Sequence, residues 1–150
     1  MRNHSNLLFG TAHGMGTVPS EAQIRSMDDD SYMNSDQLAF FTQKLREMEV
    51  ELQHNINETA EHLRETVLVP DPADRATIEE EHTLELRARD RERKLLKKIQ
   101  TSLVSIGQGD YGWCTETGDP IGIPRLLARP TATLSMDAQL RLEARRKMYG

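Results

Sequence analysis

The chain has one cysteine, Cys114, in 150 residues, so no disulfide can close within it and a reducing compartment suits it. Aromatic residues make up 5% of the sequence, and none falls within the basic stretch 87–98, so that stretch offers no platform for stacking bases. The net charge is −5, opposite in sign to the footprint of a general nucleic-acid binder. No apolar run has the length of a membrane span or of a signal-peptide core. These absences predict a soluble cytoplasmic protein with no direct sequence-specific DNA binding and no membrane contact. Hydrophobic residues are only 37% against 29% charged. That is lean for a globule but ample for paired helices, each of which buries a single stripe.

What is present is helical periodicity. Asn34 or Ser35 can cap a first long helix, along which Leu38, Phe41, Leu45, Met48 and Leu52 recur at alternating spacings of three and four. The same register continues through Asn55 and Thr59, with Ile56 and Leu63 beside it, so the seam is expected to turn polar. Asp71-Pro72-Ala73-Asp74 then reads as a turn, since Pro fixes φ and Asp side chains hold the following backbone. A second helix is expected from about Ala76 to Ile106. Its apolar seam Leu96, Ile99, Leu103 and Ile106 lies opposite the start of the first helix, and Ile78, Leu84 and Leu86 stand among charges farther out. Gly107 and Gly109 offer C-cap positions.

This pattern predicts a mainly α fold: a long antiparallel coiled-coil hairpin on a small globular module, with a C-terminal helix. Residues 1–32 form a partly flexible N-terminal segment joining the globular end. Residues 33–108 form the hairpin with its tip at 70–76, residues 109–134 the module, and residues 135–150 the last helix. Tyr111, Trp113, Ile121, Ile123, Leu126, Leu127 and Leu134 are the module's candidate core. In the last helix Met136, Leu140, Ala144 and Met148 recur every fourth residue among Arg141, Arg145, Arg146 and Lys147. The glycine-rich stretch 10–17 has neither a preceding strand nor a Gly-Lys-Ser/Thr ending, so it is not read as a phosphate loop.

Three constellations bear on chemistry. Asp71 and Asp74 put two carboxylates at the end of a rod. A rod tip has no cleft to separate their pKa values, so they make no catalytic pair unless a partner encloses them. Taken alone, Asp74 reads as a helix cap and Asp71 as a solvated turn residue. On the second helix, Glu79, Glu80, Glu81 and Glu85 near the tip give way to Arg87, Arg89, Arg91, Arg93, Lys94, Lys97 and Lys98 toward the base, a segregation that points to two different environments. Finally, Cys114 and Thr117, then Ser135 and Ala138, keep the spacing of a four-cysteine zinc site with only one thiol left. No bound zinc is expected. His4, His13, His54, His62 and His82 are scattered over segments that do not converge on the module.

Several motifs together closely resemble the DksA family of bacterial transcription factors: Tyr32-Met33-Asn34, the tip from Pro70 to Ala76, the stretch from Glu79 to Ile99, Gly112-Trp113-Cys114, Ile121-Gly122-Ile123 and Ala128-Arg129-Pro130-Thr131. The resemblance covers about residues 32–138. It implies a monomeric, non-enzymatic regulator that binds RNA polymerase, enters its secondary channel with the coiled coil, destabilises open promoter complexes, and acts with ppGpp to repress ribosomal RNA promoters and activate amino-acid biosynthesis promoters. It implies that Asp71, Asp74 and Ala76 approach the polymerase active site and that Arg91 contacts the polymerase rim. It also implies that Leu95, Lys98 and Arg129 meet ppGpp, with Gln139 where the family usually has a lysine. The chain looks like the cysteine-poor, zinc-independent type. A Gre-like transcript cleavage factor, built on the same hairpin, is the alternative.

Overall fold

The structure is a computed structural model. It describes residues 17–65 and 72–149, and the side chains of 17–62 and 75–149. Helix α1 spans Glu21–Ser26, α2 Ser35–Glu65, α3 Pro72–Gln108, α4 Ile123–Ala128 and α5 Met136–Tyr149, with a 3-10 turn at Asp29–Ser31. No strand forms among the described residues; one isolated antiparallel bridge pairs Trp113 with Pro120.

The long helices α2 and α3 pack against each other as the hairpin. At 1.5 Å per residue they measure roughly 46 and 55 Å. Asn34 is the cap of α2: its Oδ1 accepts the Gln37 N–H at 2.9 Å, and the Gln37 side chain accepts the Met33 N–H at 2.7 Å. Gln37 is fully buried, and its amide reaches Met27 Sδ at 3.5 Å. These bonds hold Met33 at φ +55, a left-handed conformation rare outside glycine. At its other end α3 finishes in a Schellman motif, with Asp110 N–H on the Ser105 carbonyl at 2.9 Å and Gly109 N–H on Ile106 at 3.2 Å. Gly109 takes the left-handed position at φ +82, whereas Gly107 lies inside the helix.

The second helix is already formed at Pro72, the first described residue beyond 71 and four residues before the expected Ala76, which a proline in a first helical turn allows. Asp74 therefore lies within the first turn of α3 and not ahead of it as a cap. Residues 66–71, including Pro70 and Asp71 of the expected tip, lie outside the described residues.

The seam also departs from the expected register. Phe41, Leu45, Leu52 and Ile56 are buried, while Asn55 is exposed. Leu84 and Leu86, which stand among charges in the outer half of α3, are 62% and 55% exposed. The outer seam of α3 is instead Ile78, His82, Glu85, Arg89 and Glu92, all half-buried, leading into Leu96 and buried Ile99. That row keeps the alternating spacing, but with polar residues.

At the base the hairpin joins the module in one core. The Phe41 ring lies 5.6 Å from Tyr111, whose hydroxyl donates to the Pro130 carbonyl at 2.7 Å. Burial raises the Tyr111 pKa, so that donor stays protonated throughout the neutral range. Leu126, Leu127, Ile121, Ala132, Cys114 and Ala138 complete the core. Lys44 on α2 donates to the Leu127 carbonyl at 3.2 Å and satisfies the end of α4. Trp113, expected in the core, is 39% exposed and packs its edge on Tyr32, with ring centroids 5.2 Å apart.

Tyr32 ties the N-terminal segment to the module. Its hydroxyl donates to the Gly112 carbonyl and accepts the Gly122 N–H at 2.9 Å, so it bridges the two arms that flank the Trp113–Pro120 pairing. Met33 fills the space over Gly112, where an added Cβ would stand 2.7 Å from Met33 Sδ; Gly112 also sits at φ +92.

Candidate functional site

A groove of about 460 Å³ opens at the hairpin base, between α3, α4 and the start of α5. Lys94, Lys97, Lys98 and Thr101 line it from α3; Arg125 and Arg129 face them; Thr131, Ala132, Thr133, Leu134 and Gln139 close it. Five of its lining residues are cations and none is a carboxylate. Converging cations in a concavity with hydroxyl donors beside them suit a phosphorylated ligand.

The fold brings together three of the four positions expected to meet a nucleotide. Lys98, Arg129 and Gln139 share this groove, although 41 residues separate the first from the last. Leu95 does not line it; it is 37% exposed on a neighbouring face of α3. Arg91 is exposed one turn farther along the rod, outside the groove. Gln139 donates to Glu143 at 3.0 Å, so its amide is already engaged. Lys94 pairs with Asp90 at 3.0 Å, an exposed pair worth little.

Sequence reasoning missed Arg125. The signal was available in the spacing of Arg125 and Arg129, four apart across a short helix opened by Ile123-Pro124. Arg125 is half-buried, and its Nε donates to the Leu134 carbonyl at 2.9 Å, which links α4 to the start of α5.

Of the two tip carboxylates, Asp71 lies outside the described residues and Asp74 is described in its backbone only, in the first turn of α3; Ala76 is exposed. Ala76 and Lys98 are 22 residues apart on α3, roughly 33 Å, farther than any side chain reaches, so tip and groove are separate sites on one rod.

The module beside the groove keeps the spacing of a four-cysteine zinc site with one thiol, Cys114, at those positions. Cys114 is 3% exposed, just beneath the turn formed by Glu116, Thr117 and Gly118. Burial pushes its thiol up, but hydrogen bonds from the Thr117 hydroxyl and from the backbone N–H groups of Ser135, Thr117 and Glu116 bring it down to about 6. The Ser135 hydroxyl accepts the Ala138 N–H at 3.2 Å, so it caps α5, and the Ala138 side chain is fully buried. A thiolate, two hydroxyls already in use and a methyl group do not fit tetrahedral zinc, which needs four Cys or His donors at a structural site. Among the described residues no group of three or more His, Cys, Asp or Glu is placed to hold a metal. Backbone N–H groups that would steady a metal-bound thiolate steady a free one here.

In the last helix the row Met136, Leu140, Ala144 and Met148 faces solvent, and buried Ala138 makes the contact with the module. Arg145 reaches Glu116 at 3.6 Å across the same junction.

Comparison with known proteins agrees with this architecture. Residues 37–106 match the family model described as DnaK suppressor protein DksA, N-terminal domain, and residues 109–144 match the prokaryotic dksA/traR C4-type zinc finger. The RNA polymerase-binding transcription factor DksA of Caulobacter vibrioides is 46% identical over 130 residues, covering 86% of this chain and 92% of that one. The protein of the same name from Escherichia coli K12 is 46% identical over 119 residues, covering 79% of each. Among solved structures, transcription factor DksA2 from Pseudomonas aeruginosa superposes with a TM-score of 0.79 at 43% identity, covering 85% of this chain and 99% of that one. A basic groove at the base of a helical hairpin, a module with the spacing of a zinc site and relatives matched along most of their length lead to one conclusion: the chain belongs to the DksA family of non-enzymatic transcription factors.

Proposed function

We propose that this protein regulates transcription in the cytoplasm by binding RNA polymerase, placing the Asp71–Asp74 tip in the secondary channel while the base rests on the channel rim, and that ppGpp binds where the groove meets the polymerase. The observation that carries the reading is the groove itself. Lys98 and Arg129, far apart in sequence, converge in a carboxylate-free concavity on the protein whose relatives are named for polymerase binding. Its cations suit the two diphosphates of ppGpp, and the polymerase supplies the missing wall of an open groove. Arg91, exposed one turn outward, is available to a neighbouring protein surface. The protein acts as a monomer, represses ribosomal RNA promoters and supports some amino-acid biosynthesis promoters by shortening the life of open complexes.

The module works without zinc, because Cys114, Thr117, Ser135 and Ala138 form hydrogen bonds and packing in place of metal bonds. Metal analysis of the purified protein should give far less than one zinc per chain, and a chelator should leave its melting temperature unchanged. For the tip, Asp74→Asn is expected to compete for polymerase as well as the parent does, while losing promoter inhibition in a purified transcription reaction. Full inhibition by Asp74→Asn contradicts the tip mechanism.

A further inference from the structure

We infer that Arg125 is the phosphate-facing cation that compensates for the neutral Gln139, so that the groove grips a nucleotide from two walls despite that loss. The inference rests on the nucleotide reading of the groove given above. It concerns a residue that neither the sequence pattern nor the resemblance singled out.

The geometry of the wall opposite α3 supports it. Arg125 and Arg129 line the groove together, four residues apart. Arg125 is half-buried, and its Nε is fixed on the Leu134 carbonyl at 2.9 Å. One bond of the planar fork is thereby spent on orientation, which removes much of the rotamer freedom that a long cation otherwise loses on binding. Its Nη1 lies 3.9 Å from Met136 Sδ, a weak acceptor, and no carboxylate pairs with it among the described residues. Gln139, by contrast, has no charge and directs its amide to Glu143. On the α3 wall Lys94 is partly neutralised by Asp90, which leaves Lys97 and Lys98.

Cations therefore stand on two facing walls. A single small phosphate meets one wall, whereas a nucleotide with phosphate groups at two separated positions meets both. Arg125 supplies the second cation of the α4 wall. Because its guanidinium is oriented before the ligand arrives, removing it loses a charge-assisted hydrogen bond that is already preorganised.

The test uses the full chain with RNA polymerase and a ribosomal promoter, titrating ppGpp and taking, for each variant, the ratio of transcription with and without the nucleotide. Arg125→Ala should need roughly 10-fold or more ppGpp for half its maximal response, the cost of one such bond. Adding Gln139→Lys to Arg125→Ala should restore much of the lost sensitivity, because it returns a cation to the same groove while the Leu134 contact stays broken. An unchanged half-maximal concentration for Arg125→Ala overturns the inference. So does a double variant no better than Arg125→Ala, since a purely structural arginine is not replaced by a lysine on another helix. If the parent protein inhibits but does not respond to ppGpp at all, the nucleotide reading itself falls, and this inference with it; the parent titration alone separates that case.

Discussion

The two halves of the hairpin share one heptad register and obey opposite chemistry. At the base, Phe41, Leu45 and Ile99 are completely buried and continuous with the core of the module. In the outer half the same positions of α3 hold Glu85, Arg89 and Glu92, half-buried, with Glu85 Oε2, Arg89 Nε and Glu92 Oε2 shielded from water and without a hydrogen-bond partner. His62 reaches Glu85 across the hairpin at 2.8 Å. Leu84 and Leu86, the apolar residues available nearby, point away from the seam. The difference teaches that periodicity builds the rod while chemistry divides its labour. The base determines register and stability, and the outer half holds charge at the cost of stability.

The sharpest way to break that contrast is to remove the base. Phe41→Ala deletes a ring that touches Tyr111 and Phe40, and it should cost about 3–5 kcal/mol in urea unfolding. A loss below about 1 kcal/mol contradicts the assignment of the core. Next comes the strap that ties the N-terminal segment to the module. Tyr32→Phe loses both hydroxyl bonds, to Gly112 and from Gly122, and should cost about 1–3 kcal/mol, visible as a lower melting temperature and faster amide exchange at Gly122.

An effect confined to one pH window belongs to the module around Cys114. The Cys114 thiol titrates near 6 in the fold against an ordinary value of 9.0. A depressed acid stabilises the fold fully above its unfolded pKa and loses that contribution as pH falls toward its folded one. The stability difference between parent and Cys114→Ser should therefore widen from pH 6 to pH 9, and thiolate absorbance should appear with a midpoint near 6. A midpoint above 8 contradicts the hydrogen-bonded thiolate. The smallest change is expected in the outer half. Glu92→Leu replaces a half-buried carboxylate that has one unpaired oxygen and should leave stability within about 1 kcal/mol of the parent, on the stabilising side. A large loss there erases the contrast between the two halves.

Much of this was legible in the sequence. The two long helices, their antiparallel pairing and the apolar base follow from spacing, because a buried stripe repeats with the helix; the six-residue helices Glu21–Ser26 and Ile123–Ala128 are too short to show such a repeat. The register slip from Asn55 to Ile56 was not legible. Both residues lie near the seam, and only the supertwist of the pair decides which one faces inward. That α3 is already helical at Pro72 was missed because a proline suits a turn and a first helical turn equally well. Trp113 looked like core by composition, but its ring covers Tyr32 at the surface. For the candidate site, the cations of α3 stood out as a run. Arg125 did not, because a cation on a six-residue helix gains meaning only when folding places it across from Lys98.

The central claim is that the base and the tip serve one act on RNA polymerase. The most direct measurement is the lifetime of the open complex at a ribosomal promoter, followed after adding a competitor, with polymerase alone, with this protein, and with protein plus ppGpp. The account predicts a lifetime shortened by the protein and shortened further by the nucleotide. A lifetime unchanged by saturating protein contradicts it.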